Sequence, residues 1–415
     1  MLLLQNGKIF TMEGDEPFVG DILISEGTIL QVAPHIETEP AWQTADLTGY
    51  NIYPGFIDAH CHLGMGEEGI GFEGNDINEM TDPVTPQMRA IDGFNPMDIA
   101  VREAREHGVT TVATGPGSAN VVGGQFAALS TAGCRVDDMI IKAPLAMKIA
   151  FGENPKRVYN SKSRMPMTRM GTAAVLRETL NKARNYQAKK KAHGADPDFA
   201  IDFQMEPLLP VLDREIPLKA HAHRADDIFT ALRIAKEYDL DITLDHCTEG
   251  HLIADALAKE QVRAIIGPSF GSRSKFELTN KTFETPAALY KAGLHVAIMT
   301  DHPVIPCCQL PLCAALAAKA GLPTEEARAA ITINAATILG LDEILGSIRT
   351  GKQADLAIWK GDPIEDMQAE PVMTLIRGEI VYSTLSEEET LPEPIRGFDS
   401  QKTVTKAEEP HGGDI

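Results

Sequence analysis

The alternation of two kinds of segment between residues 55 and 340 constrains the fold of this chain more than any other feature. Short runs rich in β-branched residues are followed by polar or glycine-rich breaks and then by amphipathic helical stretches. Strands that alternate with helices over about 250–290 residues are typical of a (β/α)8 barrel or of a doubly wound parallel sheet. No G-x-G-x-x-G or Walker sequence follows any of the strand-like runs, and this favours an α/β fold with a TIM-like barrel.

Seven strands of the predicted barrel are clear and an eighth is weak. The clear strand-like segments lie at 55–62, 109–114, within 139–151, and at 217–223, 241–247, 263–270 and 295–301. The candidate for the missing strand is DFAIDF at 198–203. The glycine-rich segment GPGSANVVGGQ, at 115–125, is interpreted as a loop or lid whose backbone could approach a substrate.

The two ends of the chain differ from the middle and resemble each other. Residues 1–54 and 345–383 contain short strands separated by turns. They predict a small β-sandwich accessory domain built from both termini, with the barrel at 55–344 mounted on it. Residues 384–415 hold eight acidic and three basic residues with few large apolar ones, and we expect an acidic, largely mobile tail.

Charge and composition exclude several classes of partner. The formal net charge of −21 argues against nucleic acid, because phosphates would be repelled. No apolar run approaches the ~18–20 residues of a membrane span. The N-terminal MLLLQNGKIF lacks the features of a signal peptide. Six cysteines without a targeting segment are typical of a reducing compartment, so we expect a cytoplasmic protein.

The stretch GFIDAHCHLG at 55–64 contains two histidines separated by one residue. In a β-strand, residues i and i+2 point to the same side, so His60 and His62 would project into one space. Two surface histidines would be the ordinary explanation of this pair alone. More polar residues end later strands: His221 and His223 the fifth, His246 the sixth and Asp301 the eighth.

The carboxyl ends of the strands are where active sites of barrels lie. Imidazoles and a carboxylate gathered on that rim suit Zn²⁺ or a similar divalent ion. Without an ion, so many polar groups in one pocket would carry a large desolvation cost.

These residues stand in segments that resemble a known family. The segments are PGFIDAHCHLG, KAHAH, LDHCTEG, MTDHP, ITINAATILGL, GSIRTGKQADLAIWKGDP and LIRGEIVYS. In this order they resemble the metal-dependent amidohydrolase superfamily over about residues 2–383. The chain looks nearest to the imidazolonepropionase-related amidohydrolases, in a poorly characterised branch that shares GENPKR and HAHRADDI.

The resemblance implies a set of metal ligands and a base. The ligands are His60, His62, His221, His246 and Asp301. Asp301 would also hold the attacking water and move its proton to the leaving nitrogen. His223 points the same way as His221 and is the alternative ligand; we favour His221 as the ligand and His223 as the residue that orients substrate or polarises its carbonyl oxygen.

The number of ions is left open between one and two. Binuclear relatives bridge their metals with a carboxylated lysine or a glutamate, and AMKIAFGENPKR offers both Lys148 and Glu153. Glu153 is preferred because it lies just past a strand end, whereas Lys148 would need to become carbamylated. The expected metal is Zn²⁺, with Mn²⁺ and Fe²⁺ as alternatives. Arg224 and Glu249, near strand ends, are candidate substrate contacts.

The predicted function is hydrolysis of a C–N bond in an amide, a cyclic amide or a peptide-like small molecule by a metal-activated water. An Xaa-Pro or carboxypeptidase-like dipeptidase and a deaminase are alternatives on the same site. A non-catalytic scaffold is the alternative from another class, but the five matched positions all carry metal-binding side chains. The resemblance also implies a homo-oligomer.

Overall fold

The computed structural model describes residues 1–14, 16–194 and 198–385. Within them, two sheets of eight strands each account for the β-structure. One sheet forms a nearly closed barrel, and the other forms a separate domain from both ends of the chain. The predicted fold class is therefore confirmed. Among the described residues, no helix is long and apolar enough to cross a membrane.

The strands of the terminal domain come from both ends of the chain: β1 Leu2–Ile9, β2 Phe18–Ser25, β3 Thr28–Ala33, β4 Gln43–Asp46, β5 Asn51–Pro54, β14 Leu356–Lys360, β15 Glu370–Ile376 and β16 Glu379–Ser383. The strands of the barrel follow one another along the chain: β6 Phe56–Cys61, β7 Val109–Thr114, β8 Val122–Ser130, β9 Ile140–Ala150, β10 Leu218–Ala222, β11 Ile242–His246, β12 Arg263–Ile266 and β13 Val296–Ile298.

The α-helices of the described residues all lie between the strands of the barrel or after its last strand. They are α1 Ala90–Gly93, α2 Ile99–Glu106, α3 Val136–Met139, α4 Glu153–Asn160, α5 Arg169–His193, α6 Leu209–Leu212, α7 Ala225–Tyr238, α8 Ala254–Lys259, α9 Thr285–Lys291, α10 Leu310–Lys319, α11 Thr324–Ala330 and α12 Ile333–Leu339.

The barrel sheet runs in sequence order from β6 to β13. Its strands pair in parallel except for β8, which is antiparallel to both β7 and β9. The two edges meet at the end that carries the histidines. There the Asp301 amide donates to the His60 carbonyl at 3.2 Å, and the His62 amide donates to the His302 carbonyl at 2.8 Å. Residues that follow the first and last strands are thus brought side by side.

The identity of one barrel strand differs from the prediction. The segment 198–203 forms no strand; it leads through a turn into the short 3₁₀ helix Glu206–Leu208. The eighth strand is instead β8, which begins inside the glycine-rich segment interpreted as a loop. Glycines are depleted in strands, so the glycines of this segment predicted a loop and not a strand. At Gly124, where φ is +132°, a Cβ atom would lie 2.5 Å from the Met88 carbonyl oxygen, so the strand needs glycine there.

The terminal domain joins both ends of the chain in one sheet. The strand order is β16-β15-β14-β5-β1-β2-β3, with β4 paired to β1, so β5 lies between an N-terminal and a C-terminal strand. Both faces of the sheet pack apolar side chains, because Leu2 and Leu4 belong to one buried cluster and Leu3 to another. The boundaries 1–54, 55–344 and 345–383 remain predictions. All but the first two residues of the predicted tail lie outside the described residues.

Candidate active site

The first group of polar side chains joins the two edge strands of the barrel. His60 lies in β6, His62 follows it by two residues, and Asp301 comes three residues after β13. Asp301 Oδ1 lies 3.5 Å from His60 Nε2 and 3.3 Å from His62 Nε2. The backbone of Asp301 is held in the left-handed region at φ +55°. Such strain in a non-glycine residue is typical of functional sites.

The second group comes from the two neighbouring strands β10 and β11. His221 and His223 stand at the end of β10, and His246 is the last residue of β11. Their ring centroids lie 4.2–4.6 Å apart. The three residues are at most 4 % exposed, and their Nε2 atoms have no hydrogen-bond partner among the described residues. The two groups adjoin each other, with 5.5 Å between the ring centroids of His60 and His246.

The outer nitrogen of each ring is bonded to the surrounding protein. His62 Nδ1 donates to the Gly115 carbonyl at 2.7 Å, and His246 Nδ1 donates to the Gly267 carbonyl at 2.8 Å. Nδ1 of His221 bonds the Ser118 hydroxyl at 2.9 Å, and Nδ1 of His223 bonds the Thr248 hydroxyl at 2.7 Å. A ring that donates through Nδ1 presents a lone pair at Nε2, which is the arrangement of a metal ligand.

His60 is oriented by a buried charge. Its Nδ1 lies 2.8 Å from Asp245 Oδ2, and the Nζ atom of Lys219 lies 3.2 Å from Asp245 Oδ1. Burial alone would raise the pKa of Asp245, but the charges of Lys219 and His60 hold it well below its usual range. Asp245 therefore remains a carboxylate that fixes the His60 ring with Nε2 toward the site.

Lys148, on β9, lies inside the first group. Its Nζ atom is 3.2 Å from His60 Nε2, and the side chain is completely buried. Burial lowers the pKa of Lys148 to about 8, against the attraction of Asp245 and Asp301. An amine with this pKa is mostly protonated at pH 7, and about a tenth of it is in the uncharged state. This is the state that carbamylation of Lys148 would require.

Glu153 belongs to neither group of candidate ligands. It begins α4, and its Oε1 accepts a hydrogen bond from the Glu277 amide at 3.0 Å. The structure brings a different carboxylate to the histidines: Glu277 Oε1 lies 3.6 Å from His223 Nε2 and 3.9 Å from His221 Nε2. Sequence reasoning missed Glu277, and its place in the long segment after the seventh strand was the only signal available.

The two predicted substrate contacts have structural partners. Arg224 pairs with Asp226 through two hydrogen bonds of 2.9 and 3.1 Å. Glu249 accepts hydrogen bonds from the Ala225 amide at 2.8 Å and from the Asn280 side chain at 3.0 Å. Both residues therefore stabilise the loops above β10 and β11. Their contact with a substrate remains a prediction.

Asp58 supports the turn that carries Asp301. This buried carboxylate accepts hydrogen bonds from the Thr300 amide, at 3.3 Å to Oδ2, and from the Thr300 hydroxyl. It also accepts from the His60 amide at 3.2 Å. Burial raises the pKa of Asp58 to about 6. Asp58 thus links the backbones of both edge strands just below the first group.

Comparison with known proteins identifies the family of this chain. Residues 157–382 match the family model described as amidohydrolase family. An amidohydrolase from Thermotoga maritima MSB8, of known structure, is 43 % identical, with a TM-score of 0.90, over 92 % of this chain and 100 % of that chain.

Two relatives cover most of the chain at lower identity. Amidohydrolase tasK of Hapsidospora irregularis is 28 % identical over 390 residues, which are 87 % of this chain and 40 % of that protein. Imidazolonepropionase of Sphingopyxis alaskensis is 25 % identical over 391 residues, 87 % of this chain and 92 % of that protein. The chain thus spans less than half the length of tasK. The barrel, its terminal sheet domain and the extent of these matches show that this chain is a hydrolase of the amidohydrolase family.

Proposed function

We propose that this chain is a metal-dependent hydrolase that cleaves the C–N bond of an amide, a cyclic amide or a peptide-like small molecule. The observation that carries the proposal is the convergence of buried candidate ligands, among them the Nε2 atoms of His221, His223 and His246, which have no hydrogen-bond partners among the described residues. Two groups of three side chains each place their ligand atoms within 4.8 Å of one another. They are His60, His62 and Asp301, and His221, His223 and His246.

The spacing of these atoms fits a divalent ion. Metal–ligand distances of ~2.0–2.2 Å in a tetrahedral shell separate neighbouring ligand atoms by about 3.4 Å. The distances from Asp301 Oδ1 to His60 and His62 are 3.5 and 3.3 Å. Buried lone pairs left without a cation or a hydrogen would be costly, and an ion removes that cost. Zn²⁺ suits this set of nitrogen and carboxylate ligands, and Mn²⁺ and Fe²⁺ are the alternatives.

The chain's own residues supply the proton transfers and the positioning. When bound, a divalent ion lowers the pKa of a water from ~15.7 to about 7 and polarises the carbonyl group under attack. Asp301 accepts the proton of the attacking water and returns it to the leaving nitrogen. His221 and His246 would hold the ion of the second group, and His223, whose ring is fixed by Thr248, would orient the substrate or polarise its carbonyl oxygen.

Lys148, once its amine has reacted with carbon dioxide to form a carbamate, would be the residue that holds both ions, ahead of Glu153. Two observations support the change: the amine lies 3.2 Å from His60 Nε2, and the Glu153 carboxylate is turned toward the Glu277 amide. A bridged pair of ions favours cleavage of an amide or peptide bond. The similarity to imidazolonepropionase over 87 % of the chain makes ring-opening of cyclic amides the second class to test.

Replacement of Asp301 by asparagine tests the proposed chemistry. The asparagine side chain would keep an oxygen near His60 and His62 but could not accept the proton. We expect turnover of a panel of amides, cyclic amides, dipeptides and amidines to fall by at least ~10²-fold with the fold intact. Asp255→Asn, an exposed change on α8, is the matched control. Equal turnover by Asp301→Asn and wild type would overturn the proposal.

A further inference from the structure

The segment between β12 and α9 presents an ammonium group beside the second group of candidate ligands. Lys275 stands directly before the short 3₁₀ helix Phe276–Leu278. Its Nζ atom lies 3.7 Å from Glu277 Oε1, and the same oxygen lies 3.6 Å from His223 Nε2. Lys275 Nζ is therefore separated from His223 Nε2 by no more than these two distances together. The ammonium group thus stands at the edge of the candidate site.

The backbone that carries Lys275 is fixed against the start of α4. The Glu277 amide donates to Glu153 Oε1 at 3.0 Å, and the Glu153 amide donates to Glu277 Oε2 at 2.8 Å. The Leu278 amide donates to the Lys275 carbonyl at 3.1 Å, which closes the 3₁₀ turn. Because Lys275 lies two residues from this double contact, its side chain starts from a defined position.

The ammonium group of Lys275 makes no hydrogen bond to protein in the part of the chain that the structure describes. Glu277 is the one carboxylate of the described residues within 4.0 Å of Lys275 Nζ, and 3.7 Å is too long for a hydrogen bond. The Lys275 side chain is 23 % exposed, so its three N–H donors are partly withdrawn from water. When an ion occupies the second group, its charge compensates that of Glu277, and Lys275 is left without a counterion.

The other basic side chains nearby stabilise the loops of the site. Arg273 donates to two backbone carbonyl groups of its own segment at 3.0 and 2.7 Å. Lys281 donates to three more at 2.8–3.2 Å. Arg224, the predicted substrate contact, pairs with Asp226. Lys275 differs from all three because its donors remain available to a ligand.

We propose that Lys275 binds a carboxylate group of the substrate, so that the substrates are amides, cyclic amides or peptide-like molecules that carry a free carboxylate. The inference rests on the proposed function and specifies the substrate class of that site. An ammonium group donates charge-assisted hydrogen bonds to a carboxylate at ~2.7–2.9 Å. In an N-acyl amino acid or a dipeptide, one carbon atom separates the carboxylate from the amide nitrogen. One small molecule can therefore contact Lys275 and place its amide at the second group.

Paired hydroxamates test this inference by direct binding, since a hydroxamate group chelates divalent ions. The monohydroxamates of malonic, succinic and glutaric acid carry a carboxylate at increasing distance from that group. The hydroxamates of propionic, butyric and valeric acid carry a methyl group in its place. In calorimetric titrations of the zinc-loaded full chain, we expect an anionic compound to bind about 10-fold more tightly than its neutral match. Lys275→Met should remove this preference and leave the zinc content unchanged.

Two further variants serve as controls. Lys275→Arg should keep the preference, because a guanidinium group also binds carboxylates. Lys259→Met, an exposed change of the same chemistry at the end of α8, should leave every affinity unchanged. If Lys275 only stabilised the charge of Glu277, Lys275→Met would weaken both members of each pair alike, and the inference would be wrong.

The outcomes separate this inference from the proposed function. Equal affinities within every pair in the wild type would overturn the inference and leave metal dependence intact, and this comparison needs no variant. A preference that survives in Lys275→Met would also overturn it, since another group would then recognise the carboxylate. A zinc-loaded wild type that binds none of the anionic compounds would overturn it as well. A wild-type chain that binds no zinc would refute the proposed function itself, and the inference with it.

Discussion

The ring of His60 is held by a row of buried charges rather than by the backbone. Asp245 lies between His60 and Lys219, and the Lys219 ammonium also donates to the Ala59 carbonyl at 2.9 Å. Burial lowers the pKa of Lys219, against the attraction of Asp245. Asp245 is the only acidic residue of this row, so both the orientation of His60 and the pairing of the Lys219 charge depend on it.

Replacement of Asp245 by asparagine should affect both metal affinity and stability. His60 would lose the carboxylate that orients it, so we expect metal affinity to fall by about 10–100-fold. Lys219 would become an unpaired buried charge, at a cost of about 3–5 kcal/mol in the free energy of unfolding. Chelator competition and denaturant unfolding measure the two effects.

A nearby pair of the same chemistry provides the control for Asp245. Asp241 pairs with Arg214 at 2.8 Å on the surface. Asp241→Asn should cost less than about 1 kcal/mol and leave metal affinity unchanged. Similar losses in the two variants would show that the buried row has no special role.

The sequence predicted where the histidines lie but not which residues orient them. The spacing of His60 and His62 has a direct geometric meaning in a strand, and so do His221 and His223. Lys148, Lys219 and Asp245 left a weaker signal, since charged residues within buried strands need partners that the sequence does not name. Glu277 had no periodic context at all, because it lies in an irregular segment.

At the scale of elements, β8 departs most from a regular alternating barrel. It runs antiparallel between β7 and β9, and it places its glycines beside the site. At Gly123, a Cβ atom would lie 3.3 Å from the Lys148 side chain. A strand with two adjacent glycines gives little β-propensity, so local sequence could not reveal it; pairing with its neighbours determines it.

Gly124→Ala tests the strained position of β8. The added Cβ would lie 2.5 Å from the Met88 carbonyl oxygen at a φ of +132°. We expect the free energy of unfolding to fall by about 2 kcal/mol or more, from strain and from displacement of the segment before α1. Equilibrium unfolding in denaturant measures this loss.

Gly14→Ala is the control for Gly124. Its φ is +91°, but no atom of the described residues lies within 4 Å of the added atom, so only the backbone strain of about 1 kcal/mol applies. If Gly124→Ala were no more destabilising than Gly14→Ala, the close approach of β8 to Met88 would be wrong.

At the scale of the whole molecule, Asp355 lies where the terminal domain meets the barrel. Its backbone carbonyl accepts from the Gly55 amide at 2.8 Å, just before β6. Its side chain accepts from the Arg377 amide at 2.8 Å, and Oδ2 has no hydrogen-bond partner among the described residues. Burial raises the pKa of Asp355 to about 6.

The raised pKa predicts a pH-dependent stability. The folded chain binds a proton at Asp355 more tightly than the unfolded chain, whose pKa is about 3.8. The contribution of this group is therefore fully present below pH ~4 and is lost as the pH rises to ~6, by on the order of 2–3 kcal/mol. Asp355→Asn removes the titration.

Denaturant unfolding of the metal-free chains measures the free energy of unfolding of wild type and of Asp355→Asn at each pH. The difference between the two chains gives the contribution of the Asp355 carboxyl group. Wild type should lose stability relative to the variant between pH 4 and 7. A difference that is constant over this range would show that Asp355 ionises normally in the folded chain.

The predicted architecture depended on signals that extend over the whole chain. Alternating segments between residues 55 and 340 identified the barrel, and similar strand patterns at both ends identified the second domain. These patterns hold because buried sheets and amphipathic helices impose periodicity on many residues at once. A contact made by a single carboxylate, such as that of Glu277 with the histidines, imposes no periodicity on the sequence. Such a contact could therefore be found only in the structure.

The metal content per chain tests the proposed metal dependence most directly, and elemental analysis of protein purified without chelators or a metal-affinity tag measures it. We expect about two ions per chain, one at each group of ligands. A single ion would remove the bridging role proposed for Lys148. No bound metal, even after reconstitution with Zn²⁺ or Mn²⁺, would contradict the proposal of a metal-dependent hydrolase.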